Sequence, residues 1–436
     1  MSAQGTAAQR THVRWAPILI LVLFATTVNY LDRSIFGIAN GQGGMGKELG
    51  LDAVELGWLA SAFSWTYAFM QIPGGIFLDR FGVRVTYALS LITWSVFCGL
   101  QGVATSFSSL FGYRLGLGLC ETPCFPANSR ILATWFPQNE RARANSVYAV
   151  GQYAGTAFLS VPLVWITVQL GWHALFMIAG GIGILFGLFF YGKYHEPQDS
   201  KVANQAELDY IEAGGGLAPK GARVKFDWAN AGKLLQKRQI LVASIAQFCG
   251  NTVLVFFLYS FLKYLADSRH MAFLSAGVWG ALPYMAAAVG VLCGGQLSDR
   301  LLKATGSANI GRKVPIVIGF LCASCLALAN YVPAGAENDT TVIAVMCIAF
   351  FGQGITNLGW TVISDVAPKS MIGLSGGVFN LITNLAGILT PIIIGYILKF
   401  SGNDYTWAIF YVGALPLIGA FLYIFLLGDI KRLTID

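Results

Sequence analysis

Apolar stretches long enough to cross a lipid bilayer dominate this sequence. About twelve of them follow one another, each near the length of about 20 apolar residues that a spanning helix needs. Backbone groups inside lipid have to be satisfied within their own segment, so the stretches are predicted to be helices. The composition agrees, since 56% of the residues are hydrophobic and only 11% are charged. The predicted spans are 16–37, 55–78, 84–103, 107–134, 143–169, 172–192, 239–266, 273–298, 314–332, 342–366, 372–399 and 406–427.

A short charged motif occurs twice, each time at the end of a predicted span. The first copy is Gly75–Arg80, and the second, Gly295–Arg300, follows about half the chain later. Such a repeat indicates a duplicated helical bundle, which is a common design of secondary transporters. We therefore predict an all-α membrane protein with twelve transmembrane helices in two pseudo-symmetric six-helix bundles. The bundles are residues 1–192 and 239–436, and a polar cytoplasmic linker at 193–238 joins them.

The basic residues predict the orientation of the chain in the membrane. If both termini are cytoplasmic, only Lys47, Lys263, Arg269 and Lys399 of the 28 Lys and Arg residues fall on the outside, and three more lie within spans. The net charge of +7 thus reflects positive-inside topology. We expect a lipid bilayer around the chain and no nucleic-acid partner.

The repeated motif is predicted to act as a conformational latch. Asp79 and Arg80 follow span two, and Asp299 and Arg300 follow span eight, both at the cytoplasmic ends of helices. An Asp there accepts hydrogen bonds from a helix N-terminus or pairs with an Arg, and Gly75 permits close helix approach. Contact with a substrate is not expected so far from the bilayer centre.

Four ionisable residues lie deep within spans one and four, where each costs roughly 2.5–3.5 kcal/mol to insert. Asp32 and Arg33 are adjacent and point about 100° apart on a helix, whereas Arg114 and Glu121 share a face. We expect Arg114 to neutralise Asp32, which leaves Arg33 uncompensated. Such an Arg binds a carboxylate through two parallel hydrogen bonds. A closed network in which the four charges satisfy one another is the structural alternative.

Glu121 is the first candidate for carrying a proton. It lies between Cys120 and Pro123 in an apolar helix, and burial favours the protonated form of a carboxyl group. No His lies within a predicted span, so proton coupling has to use carboxyl groups. Asp32 is the second candidate.

Neutral polar and aromatic side chains complete the predicted site. Amides suit hydroxyl groups, and Trp and Tyr offer flat apolar faces with one polar group. For any one of these residues, packing or a helix–helix hydrogen bond explains its presence equally well. Their combination with a buried cation predicts a site for a small organic anion. These candidates are Tyr30, Tyr67, Gln152, Asn357, Trp360, Asn380 and Asn384.

The chain resembles the major facilitator superfamily and, within it, the anion:cation symporter branch. The doubled G-x-x-x-D-R motif carries the resemblance to the superfamily. The linker LDYIEAGGGL and the tail GDIKR are similar to those of bacterial glucarate/galactarate and galactonate transporters. The branch is indicated by NYLDR (29–33), QIPGGIFLDRFG (71–82), CETPCFPANSRI (120–131), WFPQNERA (135–142) and GLSGGVFN (373–380).

The resemblance implies a proton-coupled importer of a sugar acid that works by alternating access in a bacterial inner membrane. The acid would be an aldarate such as glucarate or galactarate, or galactonate or a hexuronate. Arg33 would be the central cation with Asp32 beside it, and Glu121 and Arg114 the ionisable pair of span four. A monomer without cofactor, driven by the proton gradient, is expected. The implied substrate residues are Tyr30, Tyr67, Gln152, Trp360 and Asn380.

Other functions stay open at this stage. The chain could carry another organic anion, such as an aromatic or tricarboxylic acid, or be a sensor homologue that transports nothing. A drug/proton antiporter is disfavoured because span five lacks a G-P-x-x-G-G element. An enzyme is not expected, since the sequence has no cluster of nucleophile and base and no set of metal ligands. One free Arg suits a monoacid, whereas a diacid would need further donors, for example from Asn380 and Asn384.

Overall fold

The computed structural model describes residues 10–41, 44–216, 228–368 and 371–433. Within these residues, nine helices are long and apolar enough to cross a membrane. One of them, Arg143–Lys193, has 51 residues, enough for two crossings, and it turns at Gly171, whose φ is +82°. The two remaining spans, 2 and 4, are each interrupted and so are not among the nine. The fold is therefore the predicted all-α membrane bundle of twelve spans in two halves of six.

The first half holds spans 1 to 6. Gly82, with a φ of +77°, separates spans 2 and 3 inside one continuous helical run, a conformation that favours glycine. The helices are Leu19–Ala39 after a π-helical turn Arg14–Ile18 (span 1), the short Met45–Glu48, Ala53–Phe69 and Gln71–Gln101 (spans 2 and 3), Phe107–Glu121 and Cys124–Trp135 (span 4), and Gln138–Lys193 (spans 5 and 6).

The second half holds spans 7 to 12. A short 3-10 turn, Pro197–Asp199, and two linker helices, Gln205–Ala213 and Trp228–Leu235, precede it. The helices are Arg238–Tyr259 and Phe261–Asp267 (span 7), Phe273–Thr305 (span 8), Asn309–Lys313, Val314–Ser324 and Cys325–Tyr331 (span 9), Ala336–Asn338, Asp339–Thr356 and Gly359–Val366 (span 10), Ile372–Phe400 (span 11), and Thr406–Phe421 with Leu422–Leu426 (span 12).

Two spans break where candidate site residues lie. Span 4 is interrupted at Thr122 and Pro123, directly after Glu121, because proline has no N–H to continue the helix. Span 10 is interrupted at Asn357, so Gly359–Val366 forms a separate half-helix. Glu121 and Asn357 thus lie at interruptions of the helical hydrogen bonding in their spans.

The first linker helix, Gln205–Ala213, is fastened to the start of span 1 through Glu207. This carboxylate is fully buried and accepts hydrogen bonds from the backbone N–H groups of Val13 (3.0 Å) and Arg14 (3.2 Å) and from the Thr11 hydroxyl. Arg14 Nη1 adds an ion pair at 3.0 Å. Burial alone would raise the pKa of Glu207, but these hydrogen bonds hold it below its usual range. The carboxylate thus caps the positive end of a helix.

The chain after span 12 is fastened to the half-helix of span 10. Leu433 N–H donates to the Val366 carbonyl at 2.8 Å. The Arg432 guanidinium donates to the carbonyl of Ala367 at 3.2 Å and to that of Ser364 at 3.4 Å. A cation at the C-terminal end of a helix satisfies free carbonyls and complements the helix dipole. We call the end of the molecule that carries both fastenings the linker face and the other end the opposite face.

Candidate functional site

An ion pair between Arg33 of span 1 and Glu121 of span 4 lies at the centre of the first half. Arg33 Nε donates to Glu121 Oε1 at 2.7 Å, and Nη2 donates to the same oxygen. Arg33 is 8% exposed and Glu121 is fully buried. Glu121 Oε2 has no hydrogen-bond partner among the described residues. The guanidinium therefore holds one carboxylate oxygen and leaves the other free.

Three aromatic rings enclose the Arg33 guanidinium. Its carbon lies 5.0 Å from the ring centre of Tyr30, 4.7 Å from that of Phe63 and 4.6 Å from that of Tyr67. Aromatic faces stabilise a cation without neutralising it. Tyr30 and Tyr67, two predicted substrate residues, thus lie beside the predicted anion-binding Arg. Phe63 shares a helix face with Tyr67, four residues later, but it was missed because the sequence does not show that this face meets span 1.

The expected pairing of Arg114 with Asp32 is wrong. Asp32 accepts hydrogen bonds from Trp94 Nε1 at 2.8 Å and from Cys98 Sγ at 3.4 Å. The two residues lie on span 3, whereas Arg33 points to span 4, as the angle of about 100° between neighbours on a helix requires. Arg33 is consequently the cation with a carboxylate partner.

Arg114 bonds to backbone instead of to a carboxylate. Its Nε and Nη2 donate to the carbonyl oxygens of Leu59 and Ala60, and its guanidinium carbon lies 4.1 Å from the ring centre of Phe36. The residue is fully buried. Within the described part of the chain, no ion pair involves Arg114, so it crosslinks spans 2 and 4 as a structural residue.

The amide side chains of the second half already make some hydrogen bonds within the protein. Asn384 Nδ2 donates both to the backbone carbonyl and to Oδ1 of Asn380, at 2.8 Å each. Asn357 Nδ2 donates to the Tyr153 hydroxyl at 2.9 Å. This last bond joins the two halves of the molecule. Tyr153 was missed because its neighbour Gln152, which is half-buried, was the more polar choice.

Trp360 lies on the half-helix of span 10 and is 42% exposed. Its ring centre is 4.8 Å from that of Phe379. Gln247 of span 7 packs against Gly359, the first residue of this helix. A Cβ on Gly359 would lie only 2.2 Å from Gln247 Oε1. Gln247 therefore fixes the start of the helix that carries Trp360.

Gln247 and Gln353 are buried polar residues that the sequence analysis did not select. Gln247 Oε1 has no hydrogen-bond partner among the described residues. Gln353 Oε1 accepts a hydrogen bond from Thr356 at 3.0 Å, whereas its Nε2 has no partner there. The available signal was an uncharged polar residue near the middle of a largely apolar span. Unpaired buried polar groups require an explanation, and a bound solute or water supplies one.

The motif residues at the linker face pair within their own halves. Asp79 Oδ1 lies 3.2 Å from Arg130 Nη1 at the end of span 4. Arg312 of span 9 pairs with Asp365 at 2.9 Å and with Asp299 at 3.5 Å. Arg80, which lies over the ring of Phe81, and Arg300 are exposed. The expected close helix approach at Gly75 is wrong, because a Cβ on Gly75 would touch nothing within 4 Å.

The opposite face is closed by contacts between the halves. Lys399 Nζ pairs with Asp52 Oδ2 at 3.1 Å. Below this pair, spans 2 and 11 approach through glycines. A Cβ on Gly57 would lie 2.5 Å from the carbonyl oxygen of Pro391, and one on Gly395 would lie 2.5 Å from that of Ala53. We call this contact the glycine seam.

A model of the Major Facilitator Superfamily matches residues 22–391, which is most of the chain. The chain is a member of the Major Facilitator Superfamily. Members of the superfamily are membrane transporters and not enzymes, so the twelve spans form a pathway for a small solute. In the described residues no group of three or more His, Cys, Asp or Glu side chains is placed to hold a metal ion.

Relatives within the superfamily are similar to the chain over their whole length. The probable galactarate/D-glucarate transporter of Escherichia coli (strain K12) is 40% identical over 99% of this chain and 97% of its own length. The D-galactonate transporter of Escherichia coli O6:H1 is also 40% identical, over 95% of this chain and 96% of its own.

Solved structures of the superfamily share the fold at low sequence identity. An inward-facing bacterial homologue of the human lysosomal transporter Spinster is 20% identical and superimposes with a TM-score of 0.71, over 94% of this chain and 96% of its own. A D-xylose–proton symporter, 13% identical, gives a TM-score of 0.70 over 96% of this chain and 99% of its own.

Proposed function

We propose that this protein imports a sugar acid together with protons by alternating access. The observation that carries the proposal is the buried Arg33–Glu121 pair inside an aromatic enclosure. A buried cation in a membrane bundle is a functional feature by default, and its partner is itself a group that binds protons. The names of the relatives, which concern galactarate, glucarate and galactonate, support the substrate class.

Transport of substrate and of protons is coupled because Glu121 and the substrate carboxylate compete for a single cation, Arg33. When Glu121 is ionised, it occupies the Arg33 guanidinium and excludes a second carboxylate. When Glu121 takes up a proton, it becomes neutral, and Arg33 is free to bind the carboxylate of the substrate through parallel hydrogen bonds. The charge around Arg33 stays balanced in both states. Substrate and proton therefore bind together and leave together.

Asp32 is the second carboxyl group available for this role. It is buried one residue from Arg33, and Trp94 and Cys98 donate hydrogen bonds to it. A proton on Asp32 would change the charge near Arg33 without releasing Arg33 from Glu121. We assign the coupling proton to Glu121, with Asp32 as a second proton site when more than one proton is carried.

The orientation and the division of the chain are part of the same proposal. Positive-inside topology places the linker face and both termini in the cytoplasm of a bacterial inner membrane. The closed opposite face then makes this an inward-facing state, with the halves 1–192 and 239–436 rocking about the site. The fastening of Gln205–Ala213 to span 1 supports a linker at 193–238 whose first helix moves with the first half.

Uptake of labelled galactonate and galactarate into proteoliposomes, with and without a pH gradient, tests the proposal. We expect Arg33→Lys to reduce uptake by about 100-fold or more, since an ammonium cannot form the parallel hydrogen bonds of a guanidinium. The control is Arg143→Lys, the same change on the exposed linker face. Near-normal uptake by Arg33→Lys at low and at saturating substrate would exclude Arg33 as the anion anchor.

Glu121→Gln separates binding from coupling. Gln mimics the protonated carboxyl group, so exchange between preloaded vesicles should persist while accumulation driven by a proton gradient is lost. Glu212→Gln, on the exposed face of the linker helix, is the matched control. If Glu121→Gln still concentrates substrate in response to the gradient, the coupling proton is carried elsewhere, with Asp32 the first residue to test.

A further inference from the structure

The chemistry of the second half distinguishes two kinds of sugar acid. The names of the relatives do not decide between them, because galactarate and glucarate carry two carboxylates and galactonate carries one. We propose that the site is built for a polyhydroxy monocarboxylate and discriminates against the dicarboxylate of the same stereochemistry. This inference rests on the proposed function, in which Arg33 binds the first carboxylate.

A second carboxylate would find no second cation at the site. In the described spans of the second half, Lys and Arg lie only near the two faces: Arg238, Lys263, Arg300, Lys303, Arg312, Lys313 and Lys399. The other deep cation of the first half, Arg114, is fully buried and bonds through Nε and Nη2 to carbonyl groups of span 2, and only its Nη1 has no hydrogen-bond partner among the described residues. A carboxylate placed in an apolar interior without a paired cation carries a large desolvation cost.

The orientation of the Asn384 amide shows which groups the second half presents. The backbone carbonyl of Asn380 can only accept a hydrogen bond, so the Asn384 atom that lies 2.8 Å from it has to be the NH₂ group. The same nitrogen also donates to Asn380 Oδ1. The donors of Asn384 are therefore used within span 11, and its oxygen is left for a ligand.

Two other amides follow the same pattern. Asn357 uses its NH₂ group on Tyr153, and Gln247 has an unpaired, buried Oε1. Oxygen atoms of amides accept hydrogen bonds from hydroxyl groups, whereas an ionised carboxylate has only acceptors to offer. The donors that remain in the second half, among them Gln353, Thr383 and the Asn380 amide whose oxygen is taken by Asn384, are neutral, and a neutral donor binds a carboxylate less strongly than a guanidinium does. The second half therefore suits the hydroxyl end of an aldonate.

Galactonate and galactarate form a matched pair for the test, because they differ only in having a hydroxymethyl or a carboxylate group at the sixth carbon. We would measure the Kd of the purified full-length protein for each acid by calorimetry at one pH. Galactonate is expected to bind at least about tenfold more tightly. Equal affinities, or tighter binding of galactarate, would overturn the inference. Binding of neither acid would instead contradict the proposed function.

A gain of a second cation gives an independent test. Asn384→Lys is expected to raise the affinity for galactarate relative to galactonate by about tenfold, and a melting temperature close to that of the unmodified protein would show that the variant is folded. A folded variant with an unchanged affinity ratio would argue against the inference. If the variant does not fold, Asn380→Lys places the charge one helical turn away, and the comparison on the unmodified protein decides in any case.

Discussion

The two ends of the molecule hold its halves by different physical means. At the opposite face, spans 2 and 11 meet through Gly57 and Gly395, with the Asp52–Lys399 pair above them. At the linker face, the described ion pairs of Asp79 and Arg312 lie within one half each. At the glycine seam, two closely packed backbones can only be in contact or apart. At the linker face, the charged side chains can form new ion pairs when the halves rock.

The comparison predicts that a bulky residue in the glycine seam has the largest effect. Gly57→Leu would drive a side chain into the Pro391 carbonyl, and overpacking costs about 1–3 kcal/mol, so we expect uptake to fall by about 10- to 100-fold. The variant should also favour the state that is open at the opposite face. Gly112→Leu is the control, since a Cβ there meets nothing within 4 Å.

Ser64 of span 2 is buried against span 11, since a Cβ on Gly387 would lie 2.3 Å from its Oγ, so the accessibility of a single cysteine placed there reports the state of the seam. In Gly57→Leu this position should react with an impermeant thiol reagent from the opposite face, and in the unmodified protein it should not. A background without reactive native cysteines is used for both. Unchanged reactivity together with normal uptake would mean that the seam does not control closure.

The linker face is expected to respond more weakly. Asp79→Asn removes an exposed ion pair, and such pairs contribute about 0–1 kcal/mol, so the maximal uptake rate should fall by up to about fivefold. Affinity should stay nearly unchanged, because Asp79 lies far from Arg33. Asp199→Asn, on an exposed turn of the linker, is the control. A large loss of affinity at an unchanged rate would place Asp79 in the binding pathway.

Loss of the Glu207 contact that fastens the first linker helix should affect transport least of all, but it should measurably lower the stability of the protein. The pKa of Glu207 is lowered in the folded protein, so its stabilising contribution is present above the unfolded pKa of about 4.3 and is lost as the pH falls through the folded value. Glu207→Gln should lower the melting temperature by a few degrees at neutral pH.

The difference in melting temperature between Glu207→Gln and the unmodified protein should shrink as the pH falls below about 4.3. Glu212→Gln provides the control, because Glu212 is exposed on the same helix. A difference that stays constant from pH 7 down to about pH 3 would show that the charge of Glu207 is not what fastens the helix.

Much of the fold was predictable because each membrane helix corresponds to a long apolar stretch of the sequence. The duplicated Asp-Arg motif also gave the two halves. The partners of the buried charges were not predictable in the same way. Adjacent residues such as Asp32 and Arg33 have to point in different directions, but the sequence does not say that span 3 lies on one side and span 4 on the other.

The glycine seam and the buried Gln residues were not predicted, and the reason is a different one. The chain has 51 glycines, and nothing local marks Gly57 and Gly395 as the ones that meet another backbone. Gln247 lies in a largely apolar span, where an amide is as readily a packing residue as a ligand. Only the three-dimensional arrangement shows that its Oε1 lacks a partner and that it packs against Gly359.

The two fastenings at the linker face have a consequence for protein engineering. The first linker helix binds the first half through Glu207, the second linker helix packs against spans 7 and 11, and Arg432 binds the second half. Each half thus keeps its own peripheral segments. Two separately expressed fragments, divided between Gly216 and Trp228, should reassemble in the membrane into an active transporter, which opens this protein to split-reporter assays of membrane assembly.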